Sequence, residues 1–182
     1  SARIRKLLWV PSERFFFDRT LDGKPVPVKT IAGFWTLLAD VASEEQARAL
    51  VAALENPATF KTAHRVPTLS ADEDEFGADT GLYWRGSVWA PTDVMVVRGL
   101  ERYRYEDLAR EIALNHLSSV VAVFRETGTI WENYAPQTIA PGRPAKRDFV
   151  GWSGIAPIAF LIEYAIGLRA DARANTVVWK IT

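Results

Sequence analysis

The chain has 182 residues, 48% hydrophobic and 24% charged, with a formal net charge of zero. That is enough for one domain with a real core, and the absence of a basic excess argues against a nucleic-acid or anionic-membrane surface. There is no cysteine, which rules out thiol chemistry, disulfides and thiolate metal sites.

The predicted elements follow in chain order. Ile4-Arg5-Lys6-Leu7-Leu8-Trp9 opens within a helical pattern, and with Ser1 in place of a starting methionine the chain is expected to be a piece of a longer protein. Phe15 to Asp18, the turn at Asp22-Gly23 and Val26-Pro27-Val28 predict a small hairpin, because Asp-Gly favours tight turns. Pro25 and Pro27 confine its second arm to an edge. Residues 32–40 predict a short apolar helix. Ser43 with Gln46 forms a capping box ahead of Ala47, Leu50, Val51 and Leu54 at helical spacing, and Asn56-Pro57 ends that helix.

Residues 61–82 predict a long loop whose run Asp72-Glu73-Asp74-Glu75 reads as a solvated acidic stretch. Helices are predicted from Val88 to Arg104, with Pro91 in the first turn, and from Glu106 to Arg125. Ala113, Leu117, Val120 and Phe124 are the expected buried stripe of the second, and Gly128 closes it. Residues 135–150 form another loop. Gly151 to Ile166 predicts the last helix, with Ile155, Ile158, Ala159, Ile162 and Ile166 as its apolar face and Gly167 as its stop. Thr176 to Ile181 predicts a strand. The fold class expected is mainly α, with a small β-hairpin and a C-terminal strand.

The two histidines, His64 and His116, show no HxxxH or HxH spacing, so no metal site is expected. No apolar run approaches the roughly 20 residues of a membrane span. No signal peptide is visible, and a cytoplasmic location is favoured.

Seven tryptophans is a high count. Trp35 and Trp179 lie in apolar runs and read as core. Trp84, Trp89 and Trp131 instead sit beside Gly, Arg, Glu and Asn. Sugars offer C–H faces that stack on indoles and hydroxyls that pair with charged groups, and a carboxylate placed beside them can activate water. Gly151-Trp152-Ser153-Gly154-Ile155 is an incomplete nucleophile elbow, with Ile where a Gly belongs.

Taken together, Tyr83-Trp84-Arg85-Gly86-Ser87-Val88-Trp89, Trp131-Glu132-Asn133-Tyr134 and Gly151-Trp152-Ser153-Gly154 resemble the C-terminal catalytic half of the inverting (α/α)6-barrel glycosidases. That clan holds trehalase, processing α-glucosidase I and mannosylglycerate hydrolase. The segments Thr30 to Trp35 and Pro67 to Asp72 fit it as well, so the likeness covers nearly the whole chain and is closest to the glycoside hydrolase family 63 branch.

The resemblance implies part of an (α/α)6 toroid of the six-hairpin type, residues 1–182 forming a single piece of it. It implies Glu132 as general base and Tyr83, Trp84, Arg85, Gly86, Trp89, Trp131, Asn133, Tyr134 and Trp152 as substrate-binding residues. The implied ligand is a small α-glucoside or α-mannoside, with no cofactor. Ser87 and Asp93 stand where the family usually has proline and often asparagine. The family's general acid is an Asp in a Gly-Trp-Asp-like motif that this chain lacks; Asp18, Asp79 and Asp93 do not match it. The acid is therefore expected upstream of Ser1, and the isolated chain is expected to hydrolyse almost nothing. Uncovered helix faces would pair with an N-terminal half of the same domain or with a second copy. A non-catalytic carbohydrate-binding domain and a helical interaction domain with its tryptophans in the core are the rival expectations.

Overall fold

A computed structural model describes residues 2–180. Helix α1 (Ala2–Leu8) leads into strand β1 (Trp9–Val10), which pairs antiparallel with β2 (Phe15–Phe16). The sequence paired Phe15–Phe16 with residues 26–28 instead. The turn itself forms: Gly23 has φ +84, and Arg19 bridges Pro25. The prolines leave that second arm too few N–H groups for a ladder, so β2 takes the residues before it as partner.

A 3-10 turn (Ile31–Phe34) runs into α2 (Trp35–Leu38), splitting the helix expected at 32–40. Helix α3 (Glu44–Glu55) carries the full capping box: Gln46 N–H donates to Ser43 Oγ at 3.2 Å and Ser43 N–H donates to Gln46 Oε1 at 2.9 Å. Helices α4 (Ala90–Arg102) and α5 (Glu106–Thr127) form an antiparallel hairpin, closed at its far end by Gly128 in the left-handed region. Helix α6 (Ile155–Phe160) widens into a π turn (Leu161–Ile166) that Gly167 stops. Strands β3 (Leu168–Asp171) and β4 (Thr176–Trp179) pair antiparallel. The predicted strand matches β4, its last residue Ile181 lies outside the described residues, and β3 was not anticipated.

One core binds these elements. Phe15, Phe34 and Phe60 meet ring to ring, Phe34 and Phe60 with centroids 4.8 Å apart. Around them pack Leu37, Leu50, Leu54, Val96, Val97, Leu100, Ile112 and Phe160, all without solvent exposure. Gly99 lets α4 approach α2 closely, since a Cβ there would come 2.9 Å from Leu37 Cβ.

Three burial expectations fail. On α5 the buried stripe is Ala109, Ile112, Ala113, His116, Val120 and Val123, while Phe124 is exposed and Leu117 half-buried. On α6 the buried residues are Ala156, Phe160 and then Tyr164, whereas Ile155, Ile158, Leu161, Ile162 and Ile166 are exposed. Trp35 and Trp179 are exposed, 42% and 64%, rather than core. The acidic run is tied down in part: Lys29 pairs with Asp72 at 2.7 Å and Arg85 with Glu75. No helix among the described residues is long and apolar enough to cross a membrane.

Candidate active site

The three motifs converge at the N-terminal ends of α4 and α6. The chain reaches α4 through a tight loop in which Tyr83 adopts φ +65 and Gly86 φ +136; a Cβ on Gly86 would meet the Phe76 ring at 2.8 Å. This loop stacks Trp84 flat on Trp89, centroids 4.2 Å apart and planes 4° apart. Tyr83 and Trp152 meet Trp89 edge-on at 5.0 and 5.6 Å. Trp89 is fully buried, while Trp84 and Trp152 are nearly half exposed. The result is a supported aromatic wall with two indoles open to solvent.

The second motif is locked to the first through the backbone. Val88 N–H donates to Tyr134 O at 2.9 Å and Tyr134 N–H donates back to Val88 O at 3.0 Å. Glu132 follows the end of α5 and is 6% exposed. Its Oε1 lies 3.4 Å from the Tyr83 hydroxyl and its Oε2 accepts the Lys146 N–H at 3.2 Å. The Ser153 hydroxyl donates to the Glu132 carbonyl at 2.9 Å, so the serine of the elbow-like motif is a strut. Partial burial and the neighbouring Glu132 charge raise the Tyr83 phenol above its ordinary value of 10.

Other residues of the motifs lie differently. Trp131 packs on Val120, Val123 and Tyr134 and donates its Nε1–H to Thr127 Oγ1 at 3.0 Å. Tyr134 is buried, its hydroxyl accepts the Trp131 N–H at 3.2 Å, and burial pushes its phenol up to about 12. Asn133 is buried, donates to Pro144 O at 3.1 Å and abuts Gly142, where a Cβ would collide with its Oδ1. Arg85 is exposed and held by Glu75. Tyr83, Trp84, Trp89, Glu132 and Trp152 thus share one site, with Gly86 shaping the loop behind it. A separate cleft of about 260 Å³, lined by Glu106, Asp107, Arg110, Arg169, Val178 and Lys180, includes neither Glu132 nor a tryptophan.

Sequence reasoning missed one cluster behind the wall. His64, Asp93 and His116, all fully enclosed, meet in the core: His116 Nδ1 lies 2.7 Å from Asp93 Oδ2 and 3.0 Å from His64 Nε2. Burial, and next the adjacent His116, push His64 well below 6.5. Burial lifts Asp93 to about 6 against the opposing pull of His116. Expecting no metal site rested on the sequence separation of the histidines, which the fold closes. The departure from asparagine at Asp93 was the one signal available in the sequence.

The fold is mainly α, of the six-hairpin glycosidase type. The chain belongs to the mannosylglycerate hydrolase MGH1-like glycoside hydrolase domain family, which it matches over residues 1–153. It is 31% identical to mannosylglycerate hydrolase of Rubrobacter radiotolerans over 79% of the chain and 31% of that protein. It superposes on the family 63 mannosylglycerate hydrolase of Thermus thermophilus, solved in complex with Tris, with TM-score 0.67 and 29% identity, covering 85% of the chain and 34% of that structure. It shares its fold with neutral trehalase of Saccharomyces cerevisiae, TM-score 0.72 at 22% identity, over 95% of the chain and 30% of that one. The chain therefore spans about a third of the length of these relatives.

Proposed function

We propose that this chain carries the base-bearing part of an inverting α-glycosidase site acting on a small α-mannoside or α-glucoside, mannosylglycerate being the first candidate. The observation that carries this reading is Glu132: a buried carboxylate, held through Oε2 by a backbone N–H, with Oε1 facing the Tyr83 hydroxyl beside an aromatic wall. Glu132 holds a water beneath the sugar ring and takes its proton as the water oxygen bonds to the anomeric carbon. A second carboxyl group, roughly 6.5–9.5 Å away in an inverting site, protonates the departing oxygen. That acid belongs to the remainder of a longer protein, which also covers the exposed face of α6. Trp84 and Trp152 stack on the sugar, and Trp89 backs them.

The test is proton NMR of mannosylglycerate, glucosylglycerate, trehalose and kojibiose incubated with the longest form of the protein its gene encodes. Release of the β-anomer first, slowed about 10²–10⁴-fold by Glu132→Gln, is the expected result. Release unaffected by the substitution moves the base elsewhere. No release from any substrate, with sugar still bound, turns the site into a carbohydrate-binding one.

A further inference from the structure

We propose that His64, Asp93 and His116 form a binding site for one divalent transition-metal ion of the zinc class, set in the core behind the aromatic wall. Three elements supply the ligands: the loop between α3 and α4, the first turn of α4 and the middle of α5. One ligand atom from each lies within 4.8 Å of the other two, and all three residues are enclosed.

Hydrogen bonding alone does not satisfy this geometry. His116 Nδ1 faces Asp93 Oδ2 at 2.7 Å and His64 Nε2 at 3.0 Å. An imidazole nitrogen has one in-plane position, holding either a proton or a lone pair, and completes one well-aligned hydrogen bond. The 2.7 Å approach is not aligned as one: neither Asp93 oxygen has a hydrogen-bond partner, and His116 Nε2 also lacks one. Among the described residues Asp93 forms no ion pair with Lys or Arg, its one charge partner is an imidazole that His64 also approaches, and a buried carboxylate is costly unless fully paired. A cation between the three atoms takes a lone pair from each at about 2.0–2.2 Å, once the 2.7 and 3.0 Å contacts open toward the roughly 3.4 Å spacing of tetrahedral ligands.

The donor set names the ion. Two imidazole nitrogens and one carboxylate oxygen suit zinc or cobalt, whereas magnesium and calcium want oxygen throughout. Three protein ligands leave a fourth position for water. The ligands are also braced. His64 N–H donates to Pro136 O at 2.9 Å, its carbonyl accepts the Thr62 hydroxyl at 2.6 Å, and the Tyr134 ring lies against both imidazoles. The ion ties the loop before α4 to both arms of the α4–α5 hairpin, and through the Tyr134 ring it borders the segment that carries Glu132.

The experiment uses the full chain, stripped with a chelator and titrated with Zn²⁺ by calorimetry and with Co²⁺ by visible absorption. One equivalent should bind, Co²⁺ should show the intense ligand-field bands of a four-coordinate site, and Zn²⁺ should raise Tm. Asp93→Asn keeps the shape of the side chain and should weaken binding by more than the roughly 100-fold that loss of an outer-shell partner costs; His64→Gln should do the same. Circular dichroism checks that each variant is folded, and Asp93→Asn decides the matter if His64→Gln is not. A folded wild type that takes up no metal overturns the proposal, as does binding of equal strength in a folded Asp93→Asn. Neither readout depends on glycosidase activity.

Discussion

Helices α4 and α6 each begin at the site with a tryptophan, and they are used in opposite ways. Trp89, one residue before α4, is fully buried, and the helix behind it sinks Val96, Val97 and Leu100 into the core. Trp152, three residues before α6, is 47% exposed, and the helix behind it turns Ile155, Ile158, Leu161 and Ile162 outward. Apolar spacing along a helix shows which side is apolar; it does not show whether this chain or another surface covers that side. The α4 end is a foundation, and the α6 end is an apolar face that the described residues leave open.

Substitutions can break this contrast. The largest effect belongs to Trp89→Ala, expected to cost about 3–5 kcal/mol of stability in urea denaturation because it empties the centre of the Tyr83–Trp84–Trp152 cluster. Leu100→Ala on α4 should follow at about 2–5 kcal/mol, while Ile158→Ala on α6 should stay within about 0.5 kcal/mol in this chain. Equal losses for the two would erase the distinction between buried and open helices. Trp152→Ala should leave stability nearly unchanged and, in the longest form of the protein its gene encodes, raise KM for the sugar by roughly 2- to 13-fold, the equivalent of one aromatic stacking contact of about 0.5–1.5 kcal/mol; an unchanged KM removes Trp152 from the binding wall.

The smallest effect concerns pH. The hydrogen bond from Arg65 holds Glu55 below its ordinary 4.5. A depressed folded-state value means that this contribution is present above pH 4.5 and lost as pH falls through the folded value. Glu55→Gln should therefore lower stability at neutrality, flatten the acid limb below pH 4.5 and change little at the acid end, the effect being modest because the carboxylate is 41% exposed. An unchanged acid limb would show that Arg65 is held by its bonds to Leu54 O and Glu111 alone.

Local rules made part of this legible. Ser43 and Gln46 sit three residues apart and cap α3 in the way their spacing requires. Pro91 and Gly128 mark the ends of the α4–α5 hairpin because each has backbone demands visible in one residue. Tyr83, Trp84, Trp89, Glu132 and Trp152 were readable as one site only through their joint order, and the fold places them together. Long-range facts were not legible. Nothing local distinguishes Trp131, packed on Val120, from Trp84, open to solvent. Nothing in the spacing of His64, Asp93 and His116 announces their meeting, since it depends on how the α4–α5 hairpin folds back against the preceding loop. Phe15–Phe16 chose β1 over the far side of the Asp22-Gly23 turn because two prolines had removed the donors there.

The reciprocal backbone bonds between Val88 and Tyr134 have an engineering consequence. They join the two ends of the α4–α5 hairpin independently of side-chain identity, so the helices between them form a clasped loop. The turn at Tyr103–Tyr105, with Arg104 exposed at its tip, lies at the opposite end of that loop. New chain termini placed at Arg104, or a reporter domain inserted there, leave the clasp shut and keep Trp89 and Glu132 in register.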